Sequence, residues 1–177
     1  MARRKIFIAV PELCTGCDLC GLVCSLVKTE TVNLARARIK VIRPNDTGLY
    51  VPVFCRHCKA PPCLDACPVP DAMYMDEKTG AVIIDEKKCI GCLVCVQACP
   101  FGAILVGPGG EVLKCDLCGG DPKCVLHCPP RPAFQFRQVP YPRMSCLQYV
   151  DPDAVPRKGI KAGPQKEMSD VWAGSKY

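Results

Sequence analysis

Sixteen of the seventeen cysteines in this chain stand in four groups of four, at spacings that suit metal-binding thiolates. In one group Cys89, Cys92, Cys95 and Cys99, closed by Pro100, follow C-x2-C-x2-C-x3-C-P. That run puts three thiolates on one [4Fe-4S] cluster and the fourth on a neighbouring cluster, so the group needs a partner. Cys14, Cys17, Cys20 and Cys24 repeat the spacing with Ser25 where proline would stand. Cys55, Cys58, Cys63 and Cys67 precede Pro68, with Ala60-Pro61-Pro62 lengthening the middle gap, and Cys115, Cys118, Cys124 and Cys128 precede Pro129.

Sixteen ligands at four per cluster give four [4Fe-4S] clusters. The second and third groups are separated by strand, turn and strand, the same separation as between the two motifs of a two-cluster ferredoxin, so they should exchange fourth ligands. The first and fourth groups are then left to pair. The expected sets are Cys55, Cys58, Cys63 with Cys99; Cys89, Cys92, Cys95 with Cys67; Cys14, Cys17, Cys20 with Cys128; and Cys115, Cys118, Cys124 with Cys24.

Each group reads as a ligand loop entering a short helix, with a strand behind it, and this unit recurs along the chain. Lys5 to Val10 is an apolar strand before the first group. Arg38 to Ile42 and Leu49 to Phe54 are β-branched or apolar runs around Pro44-Asn45-Asp46-Thr47-Gly48, the pattern of a hairpin. Its Arg36, Arg38, Lys40 and Arg43 are expected on a solvated strand face, with a docking face as the other reading. Ala72 to Met75 and Ala81 to Asp85 flank the turn Asp76 to Gly80, and Phe101 to Val106 and Ala133 to Arg137 are trailing strands. The fold class expected is α+β: two interleaved ferredoxin-like modules within residues 1–137. Segments 5–27 and 111–137 form the outer module, 36–54 a hairpin insertion, and 55–106 the inner module.

From Gln138 to Tyr177 five prolines punctuate a polar segment without amphipathic period, which predicts an extended partner-binding tail anchored by Trp172. The apolar fraction of 49% includes the cysteines, and aromatics are only 6%, so the core is thin and needs metal or disulfide staples. The five apolar residues after Lys5 are too few for a secretory signal, and Arg3-Arg4 as a twin-arginine signal would put cleavage at or beyond Cys14. These features favour metal-bound thiolates in a reducing, cytoplasmic setting, with no membrane span. The formal charge of +6 does not point to nucleic acid. Four oxidised clusters with their thiolates would bring about −8, leaving the loaded chain near about −2.

The stretch Cys55 to Val106, and more loosely Lys5 to Arg137, resembles the four-cluster ferredoxin-type electron-transfer subunits of oxidoreductases. The wording from Lys114 to Val125 is similar to short-loop members beside tungsten aldehyde oxidoreductases and ring-reducing benzoyl-CoA reductases. The resemblance implies a row of four clusters and an electron-transfer subunit without a catalytic site of its own. It also implies a large tungsten or molybdenum pterin partner and a further donor or acceptor subunit. A free soluble polyferredoxin, or a partner of a hydrogenase or carbon monoxide dehydrogenase, is the alternative.

Other chemistries fit less well. Structural zinc takes Cys-x2-Cys pairs across longer gaps than those within these groups. No C-x3-C-x2-C radical motif occurs. His57 and His127, the only histidines, each lie between cluster ligands and are expected to be hydrogen-bonding neighbours of sulfur. Cys146 stands outside every group and is expected to be a free or buried thiol.

Overall fold

The computed structural model describes residues 4–44, 48–136, 139–141 and 143–154. Among these residues, four α-helices and six antiparallel strand pairs flank the loops that hold most of the cysteines. The helices are α1 (Leu19–Thr29), α2 (Pro62–Asp65), α3 (Val94–Ala98) and α4 (Lys123–Leu126). α1 packs on α4 and α2 on α3, so the helices of the first and fourth groups meet, as do those of the second and third.

Proline accounts for the unequal helix lengths. A residue before proline is kept out of the helical region, and proline itself supplies no N–H to the turn before it. Cys99, ahead of Pro100, is extended at φ −81° and ψ 109°, and α3 ends there after five residues. Ser25 imposes no such stop, so α1 runs for eleven residues. Its fully buried hydroxyl donates to the Leu22 carbonyl (2.9 Å) and accepts the Asn33 N–H (3.0 Å), which folds the chain back along the helix.

The strands are β1 (Ile6–Ala9), β2 (Ile39–Ile42), β3 (Val51–Phe54), β4 (Met73–Met75), β5 (Val82–Ile84), β6 (Ile104–Val106) and β7 (Val112–Lys114). They continue with β8 (Pro130–Arg131), β9 (Phe134–Phe136), β10 (Val139–Tyr141), β11 (Met144–Ser145) and β12 (Leu147–Val150). The hairpins β2–β3 and β4–β5 form as the alternation and turns predict, with Ile39 opposite Phe54 and Met73 opposite Ile84. β6 pairs with β7, and β9 with β10.

Two expectations change. The described part of the stretch after Gln138 forms strands that pair with the chain itself. β11 pairs with β8, and β12 pairs with β1 along Ile6↔Val150 to Ala9↔Leu147, closing the described chain end on its beginning. Cys146 and Leu147 are buried in the core with Val10 and Leu13. The short strand 147–150 escapes notice in sequence because its partner lies at the other end of the chain. Residues 155–177, Trp172 included, lie outside the described residues.

The basic hairpin face is not simply solvated either. Arg38 is 12% exposed and pairs with Glu86 at 2.7 Å, while Arg43 pairs with Asp18 and donates to the Gly16 carbonyl at 2.9 Å. These contacts tie the hairpin to two ligand loops. Among the described residues no helix is long and apolar enough to cross a membrane.

Candidate metal centres

Four cavities are each walled by four cysteines from the four groups. Cys67 lines the same cavity as Cys89, Cys92 and Cys95. Cys99 lines that of Cys55, Cys58 and Cys63. Cys128 joins Cys14, Cys17 and Cys20, and Cys24 joins Cys115, Cys118 and Cys124. In every case three cysteines come from one group and one from another, and the rest of the wall is mostly apolar. Among the described residues no three histidine, cysteine or carboxylate side chains close in on one point as they would around a single ion. The thiols stand around a space instead.

The C-x2-C loops share one backbone device. The second residue between the two cysteines has a positive φ in all four: Gly16 at 69°, His57 at 47°, Gly91 at 69° and Leu117 at 56°. The turn carries that residue's N–H back toward the preceding sulfur. His57 N lies 3.4 Å from Cys55 Sγ, and Leu117 N lies 3.5 Å from Cys115 Sγ. Glycine adopts such a φ without steric cost. At Gly16 it is also needed for space, because a Cβ there would come 2.8 Å from Tyr50 Cδ1. Further N–H groups reach the fourth ligands: Arg38 N to Cys24 Sγ (3.3 Å) and Ala103 N to Cys99 Sγ (3.5 Å).

The donor set fits an iron–sulfur cluster. Burial is the main cause that raises the thiol pKa of Cys20 and Cys115 to about 12 and of Cys63 to about 11. Such sulfurs resist carrying negative charge in an apolar wall unless a cation shares it, while the N–H donors aimed at them suit thiolates. Bound metal supplies the missing positive charge.

The cavities lie in sequence. Cys63 and Cys95 pack in one apolar cluster, which joins the cavity of the Cys55 set to that of the Cys89 set. Cys115 feels the charge of Cys55, and Cys124 that of Cys20. These proximities link the Cys89 set to the Cys55 set, the Cys55 set to the Cys115 set, and the Cys115 set to the Cys14 set. Cys92 in the first and Cys17 in the last are exposed, and the other ligands are buried or half-buried.

His57 and His127 are neighbours of ligands, with unlike surroundings. The His57 ring accepts the Val82 N–H at Nδ1 (3.1 Å), its Nε2 is buried without a partner, and burial lowers its pKa to about 3, so it is neutral. His127 Nδ1 lies 2.9 Å from the Lys123 carbonyl at the surface. Two further residues lie near the sulfurs: Cys146, buried as expected, and Lys114, which the sequence reading did not single out. Cys146, 3% exposed, lines the cavity of Cys14, and the hydrogen bond between the two thiols lowers the Cys14 pKa and raises that of Cys146. Lys114, 5% exposed, has its Nζ 3.2 Å from Cys55 Sγ. Its position beside Cys115 was the available signal, since a lysine ending the apolar run Val112-Leu113 next to a ligand has little room to reach water.

The chain is similar to known proteins. The family model of the 4Fe-4S dicluster domain matches residues 47–137. The polyferredoxin-like subunit of the aliphatic sulfonate oxidoreductase of Pyrococcus furiosus is 44% identical over 128 residues, covering 71% of this chain and 73% of that one. The B subunit of the anaerobic dimethyl sulfoxide reductase of Escherichia coli K12 is 36% identical over 158 residues, covering 78% and 76%. Among solved structures, the BamBC active-site complex of benzoyl-CoA reductase with benzoyl-CoA matches at 25% identity and a TM-score of 0.40, covering 72% of this chain and 75% of that one. The chain belongs to the 4Fe-4S dicluster domain family. It is a ferredoxin-like iron–sulfur electron-transfer protein with more than one [4Fe-4S] cluster.

Proposed function

We propose that this chain is the electron-transfer subunit of an oxidoreductase complex and conducts single electrons through four [4Fe-4S] clusters set in a row. The observation that carries the reading is the string of four cavities, each with four cysteines of the four groups, whose exposed ligands Cys17 and Cys92 lie in the two end cavities. A bound [4Fe-4S] cluster takes up and releases one electron at a time. The chain's own work is to hold the thiolates in apolar walls, to direct N–H groups at sulfur, and to leave only the ends open to partners.

The exchange of fourth ligands makes two interleaved modules, the inner from residues 55–106 and the outer from the first and last groups. Each module is incomplete until both of its loops are present. Catalysis belongs to a larger partner subunit. The names of the Pyrococcus and Escherichia relatives support an oxidoreductase complex, and the family resemblance of Lys114 to Val125 favours a tungsten or molybdenum pterin partner. A second donor or acceptor docks at the opposite end. Sixteen cysteines clustered at metal-ligand spacing favour a reducing compartment, the cytoplasm.

Iron and acid-labile sulfide analysis of the anaerobically purified chain tests the cluster number. About sixteen iron atoms per chain are expected at four per cluster, and about eight would overturn it. Co-purification tests the partner. The segment 155–177, which begins after the last described turn, is the part to delete, because truncation at 138 would also remove β12. Loss of a large pterin-containing subunit on that deletion is the expected result, and an intact complex would refute the tail as an anchor.

A further inference from the structure

Among the described residues, Ser25 and Lys114 are the only buried polar or charged side chains. A lysine is almost never so buried without a partner of opposite charge. No carboxylate forms an ion pair with Lys114 among the described residues. Its ammonium donates instead to the Val82 carbonyl and to Cys55 Sγ, the latter at 3.2 Å. The counter-charge available to it is the thiolate of Cys55 and the cluster that thiolate would hold.

This contact sets one cavity apart. The ligand sulfurs Cys24, Cys99 and Cys115 accept neutral backbone N–H groups, whereas Cys55 accepts both the His57 N–H and a full cation. Other cations lie near ligands, but Lys28, Arg38 and Arg43 are each paired with a carboxylate, which offsets their charge. Lys114 also ends β7 directly before Cys115, so its charge sits where the second cavity of the row meets the third.

Hydrogen bonds to sulfur and local net charge set the potential of an iron–sulfur cluster, and a buried positive charge favours the reduced, more negative form. We propose that Lys114 is a positioning residue that raises the potential of the cluster held by Cys55, Cys58, Cys63 and Cys99 above those of the other three. The first electron to enter the chain then rests at the second place in the row. The inference relies on the four-cluster reading. The step is addition of one electron, supplied by a partner or by dithionite in the test, with no bond broken and no proton transferred.

The test is an EPR-monitored redox titration of the full, iron-loaded chain, with iron analysis alongside, on wild type, K114M and K114R. C58S identifies the signal of the cluster in question. In wild type, that signal should be the first to appear as the potential is lowered. In K114M, at unchanged iron content, its reduction equilibrium should weaken roughly tenfold, about 59 mV for one electron, with the other three clusters unmoved. K114R should restore most of the shift. Unchanged potentials in a fully loaded K114M, or a shift confined to another cluster, would overturn the proposal. If the lysine variants lose iron, the wild-type order of reduction still decides, and a different first signal overturns it. Wild-type iron near eight per chain would sink the four-cluster reading instead.

Discussion

Lys28 Nζ and Asp116 Oδ2 lie 2.6 Å apart although 88 residues separate them in the chain. The pair joins α1, which carries Cys20 and Cys24, to the loop between Cys115 and Cys118. Asp116 also accepts the Cys118 N–H at 3.0 Å, so one carboxylate fixes both the loop and its distance from the helix. The two side chains are 15% and 29% exposed, so solvent screens the pair less than at an open surface. K28M should cost about 2 kcal/mol, because it leaves a half-buried carboxylate without its cation. D116N keeps an acceptor for Cys118 and should cost about 1 kcal/mol. Thermal midpoints at a fixed scan rate, and the rate of iron loss to a chelator, measure both.

The same pair has a pH signature. Burial works to raise the Asp116 pKa, but the Lys28 ammonium and the Cys118 N–H overcome it and leave the pKa below the ordinary carboxyl value. A depressed carboxyl gives its full stability above its unfolded pKa and loses it as the pH falls through the folded value. The difference between wild type and K28M should therefore be complete at neutral pH and shrink in acid. A difference that grew as the pH fell would show that the coupling runs the other way.

Ser25 explains the one helix that outgrows its group. S25P would place proline inside α1, where its N–H is lost and its ring clashes with the preceding turn, at about 3 kcal/mol or more. The bonds of the hydroxyl to Leu22 and Asn33 would go as well. S25A should cost only about 1 to 2 kcal/mol, since it removes those bonds and leaves the helix intact. Equal thermal midpoints for the two variants would mean that the hydroxyl matters and the helix extension does not.

Much of this was legible because it is local. Cysteine spacing, turn residues and proline stops act within a few positions, and the hairpins β2–β3 and β4–β5 follow from them. What was not legible is long-range. The pairing of β12 with β1 depends on a partner about 140 residues away, and its four residues have no period to announce them. The contact of Lys114 with Cys55 spans 59 residues and runs against the rule that lysine seeks water. Polar residues that break their own statistics beside a ligand are where sequence reasoning stops short.

The shared cavity of Cys99 with Cys55, Cys58 and Cys63 leads to a test by signal identity. If the fourth ligand crosses between groups, C99S should alter the EPR signal that C58S alters and spare the one that C92S alters. C67S should do the reverse. The substitutions keep the side-chain volume nearly constant, so the signals report ligation and not packing. A match between C99S and C92S would mean that the group from Cys89 to Cys99 closes on itself.

Cys146 should prove dispensable for iron, despite lining a cavity with four other cysteines. It stands outside the four groups, and Cys128 already completes a set of four with Cys14, Cys17 and Cys20 in that cavity. C146A should keep the full iron content, whereas C128S should lose the cluster or convert it to a three-iron form. Because Cys146 is 3% exposed in the core beside Leu13 and Leu147, C146A should still lower stability by about 1 kcal/mol through the lost packing and the lost donor to Cys14. Iron analysis and EPR of the two variants separate the roles. Loss of iron from C146A with retention in C128S would make Cys146 the fourth ligand of that cavity and Cys128 the spare.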